Sequence, residues 1–399
     1  MIKNQALIDR FLRYTSIDTT SSEASDTSPS TMRQHDLAKL LARELEEMGA
    51  ENVIYDREHC YVYGMVPGTI EGAAPIGFIS HIDTVDACSG ANIRQRFIMN
   101  YDGNDELLGT DDFPELAMYI GKDLIATDGT TLLGADDKAG VAEIMQMAEY
   151  LLAHPEIPHR PAAVAFTSDE EICRGTLYFD LEAFGAKEAY TVDGEEFGEI
   201  QYENFNAASA DIVVRGRSVH PGAAKDLMKN ASIIAAEFNA LLPPLERPEH
   251  TSGREGYYML SSIQGTVEEA RMRYIIRDHD MGIFSARKAK MEEIANVLNE
   301  KYGAGTVELT VNDQYYNMIG PMASHMNLVH NAEEAIRSVG GEPVSKPVRG
   351  GTDGAQLTFR GLPCPNLGMG GGNYHGRFEY AVVQDMEKTT ETLIRLTQM

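Results

Sequence analysis

Three short apolar runs in this sequence each end on residues that can bind a metal or move a proton. That repetition restricts the fold more than any other feature. Ile76 to Ser80 leads into His81, Ala162 to Thr167 into Ser168-Asp169-Glu170-Glu171, and Ala189 to Val192 into Asp193. Runs of this length with little polar alternation read as strands buried on both faces. Helical patterns surround them. Leu37, Leu40, Leu41, Leu45 and Met48 recur at helical spacing before Gly49, a C-terminal stop. Val141, Ile144, Met145, Ala148, Leu151 and Leu152 form a second apolar stripe. Strands alternating with helices predict an α/β fold, a mixed and mostly parallel sheet flanked by helices.

The middle of the chain changes character. Asp211 to Gly216 reads as a strand, and Leu227, Ala231, Ile234, Ala235, Phe238 and Leu241 as a helix stripe. Tyr257 to Thr266 and Arg271 to Arg277 read as a strand pair, Phe284 to Tyr302 as a charged helix, and Thr306 to Val311 as a strand. The order β-α-β-β-α-β is that of a ferredoxin-like α+β unit. At 399 residues the chain is long for one core. The expected organisation is one domain in two parts, 1–207 and 319–399, around a second, inserted domain at 208–318.

The balance of 34 Lys+Arg against 61 Asp+Glu gives a net charge of −27. A body this acidic repels nucleic acid and anionic membrane, so neither is an expected partner. No apolar run approaches the ~20 residues of a membrane helix. The start, Met1-Ile2-Lys3-Asn4-Gln5-Ala6-Leu7, soon meets Asp9 and Arg10 and lacks the apolar core of a secretory signal. Cys60, Cys88, Cys173 and Cys364 are far apart, with neither zinc-ribbon spacing nor a disulfide framework, which points to a reducing cytoplasm. The Ser/Thr-rich stretch from Thr19 to Thr31 reads as a surface loop.

The candidate chemistry gathers at strand ends, where open α/β sheets bind ligands. His81-Ile82-Asp83 has the spacing of a ligating histidine whose second ring nitrogen meets a carboxylate, and also that of a turn histidine with a capping aspartate. Asp136 and Asp137 precede a helix stripe, giving one capping group and one spare ligand. Asp169-Glu170-Glu171 crowds carboxylates against an apolar strand, which is costly unless cations are near. His375 lies in the glycine-rich loop Gly370 to Gly376, which has neither a dinucleotide-binding nor a Walker pattern. Together His81, Asp136, Glu171, Asp193 and His375 form an oxygen and imidazole set without thiolate. Such a set suits zinc, manganese or cobalt in a hydrolytic centre. Charge balance favours two metals. Two divalent ions are offset by Asp136, Glu171, Asp193 and a bridging hydroxide, which leaves Glu170 as general base.

These residues carry a resemblance. Gly77 to Thr84, Leu132 to Gly140, Asp169-Glu170-Glu171, Tyr190 to Gly194 and Asn373-Tyr374-His375-Gly376 resemble the di-zinc aminoacylase/carboxypeptidase-like metallopeptidases. Glu203 to Ser209 and Arg349 to Leu357 point within them to the peptidase T family of tripeptide aminopeptidases. The resemblance implies a fold of zinc-exopeptidase type and two zinc ions bridged by Asp136. It implies His81 and Asp193 on one ion, Glu171 and His375 on the other, and Asp83 behind His81. It implies Glu170 as the residue moving the proton. On the inserted domain it implies His220 stabilising the oxyanion and Arg277 holding the peptide carboxylate. It also implies a small peptide substrate and a homodimer. Three positions depart from the family pattern: Cys173 and Glu195 stand where glycine is usual, and Ala223 where threonine is common. None is a ligand or the base.

Related di-zinc activities share these ligands, so dipeptidase, aminoacylase and carboxypeptidase stay open at this point. A peptide- or metal-binding protein on the same fold is the non-enzyme alternative. Glu170 speaks against it, because binding alone has no use for a base.

Overall fold

The computed structural model describes residues 4–399, so Met1, Ile2 and Lys3, part of the start read above for a leader, lie outside the described residues. The chain forms two compact units: Met1–Tyr202 with Gly320–Lys346 and Thr352–Met399, and Glu203–Ile319 with Pro347–Gly351.

The first unit is built on an eight-stranded sheet in the order Glu51–Asp56, Tyr61–Val66, Ala162–Thr167, Ile76–His81, Ala189–Gly194, Asn366–Gly368, Glu199–Gln201, Val344–Ser345. Its centre is parallel: Ile76–His81 pairs in parallel with Ala162–Thr167 and with Ala189–Gly194, which pairs in parallel with Asn366–Gly368. Tyr61–Val66 joins antiparallel at one side. The mixed, mostly parallel sheet flanked by helices is thus the observed architecture. The apolar central runs are buried along their whole length, as strands covered on both faces must be.

Helix Ala135–Ala153 packs on the strands Ile76–His81 and Ala189–Gly194 and against the helices Gln5–Thr15 and Val383–Leu396. It is buried nearly all round. Gly140 is what lets it approach the sheet. A Cβ there would stand 2.0 Å from the Val192 carbonyl oxygen and 2.6 Å from Ser80 Oγ. Gly49 ends helix Gln34–Met48 with φ 93°, the left-handed stop expected from the sequence.

A smaller antiparallel sheet, not anticipated from the sequence, orders Gly371–Gly372, Tyr380–Val382, Leu124–Thr127 and Gln95–Ile98. Tyr101, Leu108, Leu116 and Tyr119 pack on it as a separate core. The stretch from Thr19 to Thr31 is only partly the surface loop expected. Thr19, Ser21 and Ser30 are buried, and the Ser21 and Ser30 hydroxyls bond inward, to the Thr84 carbonyl and to Asp169.

The second unit is a four-stranded antiparallel sheet in the order Tyr257–Gly265, Glu269–Asp278, Asn206–Arg215, Val307–Tyr315. With helices Ala231–Leu241 and Met281–Tyr302 it follows the β-α-β-β-α-β order. Ala208, Ala210, Ile212 and Val214 alternate inward from the strand Asn206–Arg215, and Ile234, Phe238, Met291 and Leu298 close over them from the helices. That strand begins before the expected Asp211. Leu227, expected on the helix stripe, precedes the helix and is 51% exposed.

Candidate metal centre

Three neighbouring parallel strands end at one edge of the large sheet, and this brings the acidic groups together. His81 is the last residue of Ile76–His81. Asp193 closes Ala189–Gly194 on one side. On the other, Ala162–Thr167 runs through Ser168 and Asp169 into a single turn, Glu170–Ile172. Asp136 lies at the start of helix Ala135–Ala153, behind Gly134 at φ 76°. His375 sits in the loop between the short strands Gly371–Gly372 and Tyr380–Val382, with φ 63°.

The five expected ligands meet around Asp136. Its Oδ1 is 2.9 Å from His81 Nε2, and its Oδ2 is 3.1 Å from His375 Nε2. His81 Nε2 also stands 3.4 Å from Asp193 Oδ1, and His375 Nε2 stands 3.1 Å from Glu171 Oε2. The centre therefore has two halves, His81 with Asp193 and His375 with Glu171, sharing the Asp136 carboxylate. One ligand-type atom from each of His81, Asp136 and Glu171 lies within 4.8 Å of the others, as is true of His81, Asp137 and Asp193.

Asp83 holds two parts of this arrangement. Its backbone oxygen is 3.1 Å from His81 Nδ1, and its carboxylate is 3.4 Å away. The same carboxylate accepts the N–H groups of Glu170 at 2.9 Å and Glu171 at 3.3 Å. It is wholly buried, so these donors replace its lost hydration.

Electrostatics show how crowded the negative charge is. Burial and then the Asp136 charge push Glu171 up to about 8. Burial pushes Asp193 up to about 6 and Glu170 well above the usual range. Burial also opposes ionisation of Asp136, but hydrogen bonds to His375 and His81 outweigh it and hold the carboxyl low. Hydrogen bonds to Asp136 and Glu171 raise His375 to about 10. Glu171 Oε1 is buried without a hydrogen-bond partner. Carboxylates and imidazoles that attract positive charge this strongly, with a ligand oxygen left over, fit a pair of divalent cations.

Several residues shape the centre in ways that were not read from the sequence. Glu379 is buried, and its carboxylate accepts the N–H groups of Leu133 and Gly134 at 2.8 Å each and of Asp136 at 2.9 Å. Its only sequence signal is its place four residues after His375. Asp137 accepts the His81 N–H at 3.0 Å, so it is the aspartate that fixes backbone while Asp136 faces the histidines. Lys138 is buried and donates to the Ile17 carbonyl at 2.7 Å, and burial draws its ammonium down to about 8. Asp353 accepts the Thr167 hydroxyl at 2.9 Å, and burial raises it to about 7.

His220 and Arg277 belong to the second unit. His220 is exposed, and its Nδ1 accepts the Gly222 N–H at 3.1 Å. Arg277 donates to Gln314 at 3.2 Å and lies over the Tyr315 ring. Its sequence neighbour Asp278 is paired with Arg287 at 2.8 Å instead. Of the departures, Cys173 ends the Glu170–Ile172 turn at φ 60°, where a left-handed residue explains the family's usual glycine. Glu195 is exposed, and its backbone oxygen accepts Gly370 and Gly371 N–H groups at 2.8 and 3.1 Å. Ala223 ends the short turn Pro221–Ala223, and its N–H donates to the His220 carbonyl at 2.8 Å.

Known proteins resemble this chain along its whole length. Residues 202–306 match the model of a peptidase dimerisation domain. The chain is 51% identical to a peptidase T of Caldanaerobacter subterraneus subsp. tengcongensis, over 98% of each protein. It is 50% identical to a peptidase T of Clostridium novyi, over 99% of each. The crystal structure of an aminopeptidase PepT from Bacillus cereus superposes with a TM-score of 0.80 at 26% identity, covering 100% of this chain and 98% of that one. A Staphylococcus aureus tripeptidase shares the fold, with a TM-score of 0.80 at 20% identity over 100% and 98% of the two chains. Half of all positions shared along essentially the whole length place the chain in a family: it belongs to the peptidase T family.

Proposed function

We propose that this protein is a metallo-aminopeptidase that removes the N-terminal residue from tripeptides. The observation that carries the reading is the Asp136 carboxylate, with one oxygen on His81 and the other on His375. That arrangement suits Asp136 as the bridge between two cations, with His81 and Asp193 on one and Glu171 and His375 on the other. Zinc is the cation this ligand set favours, and manganese or cobalt are substitutes. When bound, such a pair supplies an acidified water and polarises the carbonyl under attack.

The chain's own residues supply the rest. Glu170 takes a proton from the attacking water and returns it to the leaving amine. Asp83 holds Glu170 and Glu171 in place through their N–H groups. His220 stabilises the oxyanion, and Arg277 grips the peptide carboxylate, a task suited to a planar guanidinium. The inserted unit acts as the lid that carries both. Glu115, Glu195 and Glu196 line a cavity of about 450 Å³ together with His375, and this negative lining favours a protonated amine over an acylated one.

The dimerisation-domain match supports a homodimer. Among the described residues no helix is long and apolar enough to cross a membrane. The wide spacing of the four cysteines supports a cytoplasmic setting.

Metal content should be measured together with hydrolysis of di-, tri- and tetrapeptides of one composition and of the N-acetylated tripeptide. Two metals per chain and cleavage confined to the free tripeptide are expected. Cleavage of dipeptides or acylated substrates would keep the centre but assign a sister activity, a dipeptidase, aminoacylase or carboxypeptidase.

A further inference from the structure

Three loops that carry parts of the candidate metal centre, those of His81, Asp136 and Glu170–Glu171, are bonded to one segment, Ile17 to Gln34. Ile17 accepts the Lys138 ammonium at 2.7 Å, next to the Asp136 loop. Ser21 donates its N–H to the Thr84 carbonyl at 2.9 Å and its hydroxyl to the same oxygen at 3.2 Å, just after His81 and Asp83. Ser30 donates its N–H to Asp169 Oδ2 at 2.6 Å and its hydroxyl to Asp169 Oδ1 at 2.5 Å. Gln34 donates to Asp169 Oδ1 at 2.6 Å and accepts the Asp169 N–H at 3.2 Å. Asp169 is wholly buried, takes φ 60°, and directly precedes Glu170 and Glu171.

The segment is also closed on itself. Ser22 N–H donates to Ser30 Oγ at 3.0 Å, and the Thr31 hydroxyl donates to the Thr20 carbonyl at 2.7 Å. A passive connection between two helices needs none of these bonds. We propose that residues 17–34 are a positioning brace that sets the Glu170–Glu171 loop against the His81 and Asp136 loops. Asp169, Ser30 and Gln34 are its principal positioning residues. This rests on the reading of Glu170 as base and Glu171 as ligand. Such groups must be held within about 0.5 Å of working geometry, and a displacement of about 1 Å costs about 100-fold in rate.

The brace is tested in the full chain with Ser30→Ala, Ser30→Thr, Gln34→Met and, as reference, Glu170→Gln. The readouts are kcat and KM on a tripeptide, zinc titration by calorimetry, and melting temperature. Ser30→Ala and Gln34→Met should each lower kcat about 10-fold with KM within about twofold, and weaken zinc binding about 10-fold. Ser30→Thr, which keeps the hydroxyl, should restore both. Wild-type kcat and zinc affinity in Ser30→Ala and Gln34→Met would overturn the brace, whatever their melting temperatures. If Ser30→Ala does not fold, Gln34→Met decides, because it leaves both Ser30 bonds intact. Turnover surviving in Glu170→Gln would overturn the base instead, and zinc affinity in the Ser30 and Gln34 variants would then judge the brace alone.

Discussion

Glu379 takes the backbone N–H of Asp136 at 2.9 Å, across 243 residues of sequence. The same carboxylate takes the two N–H groups of Leu133 and Gly134, so the turn that presents Asp136 to both histidines is wrapped around one buried side chain. Glu379→Gln removes an acceptor oxygen and points an amide at backbone donors. The expected cost is about 1–3 kcal/mol of stability and a loss of about 10–100-fold in metal affinity. Denaturant melts and calorimetric zinc titration check the two parts separately.

Gly140 tests the contact between helix and sheet. An added Cβ would meet the Val192 carbonyl at 2.0 Å, and neither element can yield without moving the residues beside Asp136 or Asp193. Gly140→Ala should destabilise by about 3 kcal/mol or more, although alanine is the better helix former. A melting temperature equal to wild type would show that the approach is looser than described.

Glu143 gives a pH dependence with an unusual sign. It is wholly buried, neither carboxyl oxygen has a hydrogen-bond partner, and burial raises it well above the ordinary range. The folded protein keeps it protonated where the unfolded chain has lost the proton, so it costs stability as pH rises above the unfolded value of about 4.3. The slope approaches about 1.4 kcal/mol per pH unit until the folded group ionises. Glu143→Met should therefore stabilise the protein at pH 7, and its advantage should shrink toward pH 4. Denaturation midpoints of both proteins across that range give the answer.

Asp105 has the opposite sign. Its carboxylate takes both Arg96 Nη groups at 2.6 Å and the Leu107 and Leu108 N–H groups at 3.0 Å. The Arg96 bonds, against some burial, hold it below the usual range. Its contribution is thus fully present above the unfolded value of about 3.9 and disappears as pH falls through the lower folded value. Asp105→Asn should lose about 1–2 kcal/mol at pH 7 and lose progressively less below pH 4. Acid titration followed by circular dichroism checks both.

The sequence made the strand ends legible because burial on both faces leaves an uninterrupted apolar run, and the chemistry starts where the run stops. Ile76 to Ser80 with His81, and Ala189 to Val192 with Asp193, are examples, although each is a weak signal until all five ligand-type residues are taken together. The β-α-β-β-α-β order was legible for the same kind of reason, since periodicity switches at each element. What stayed hidden was whatever acts through a single long-range contact. Glu379 is an ordinary acid in an acidic chain until the fold buries it against donors, and the acidic run showed Asp169 but not its bonds to Ser30 and Gln34. The small sheet stayed hidden too. Its strands are short, and two of them, Leu124–Thr127 and Tyr380–Val382, find each other only late in the sequence.

That late pairing has a consequence for the order of events in synthesis. His375, Glu379 and the strand Tyr380–Val382 all close onto the region from Leu124 to Asp136. A nascent chain that has already made His81, Asp136, Glu171 and Asp193 still holds only an open half-centre, with the Asp136 turn unwrapped. Domains fold as units during translation, and contacts this distant in sequence are the slow ones. In the proposed centre, hydrolytic competence therefore waits until His375 and Glu379 have been made and have closed onto the Asp136 turn.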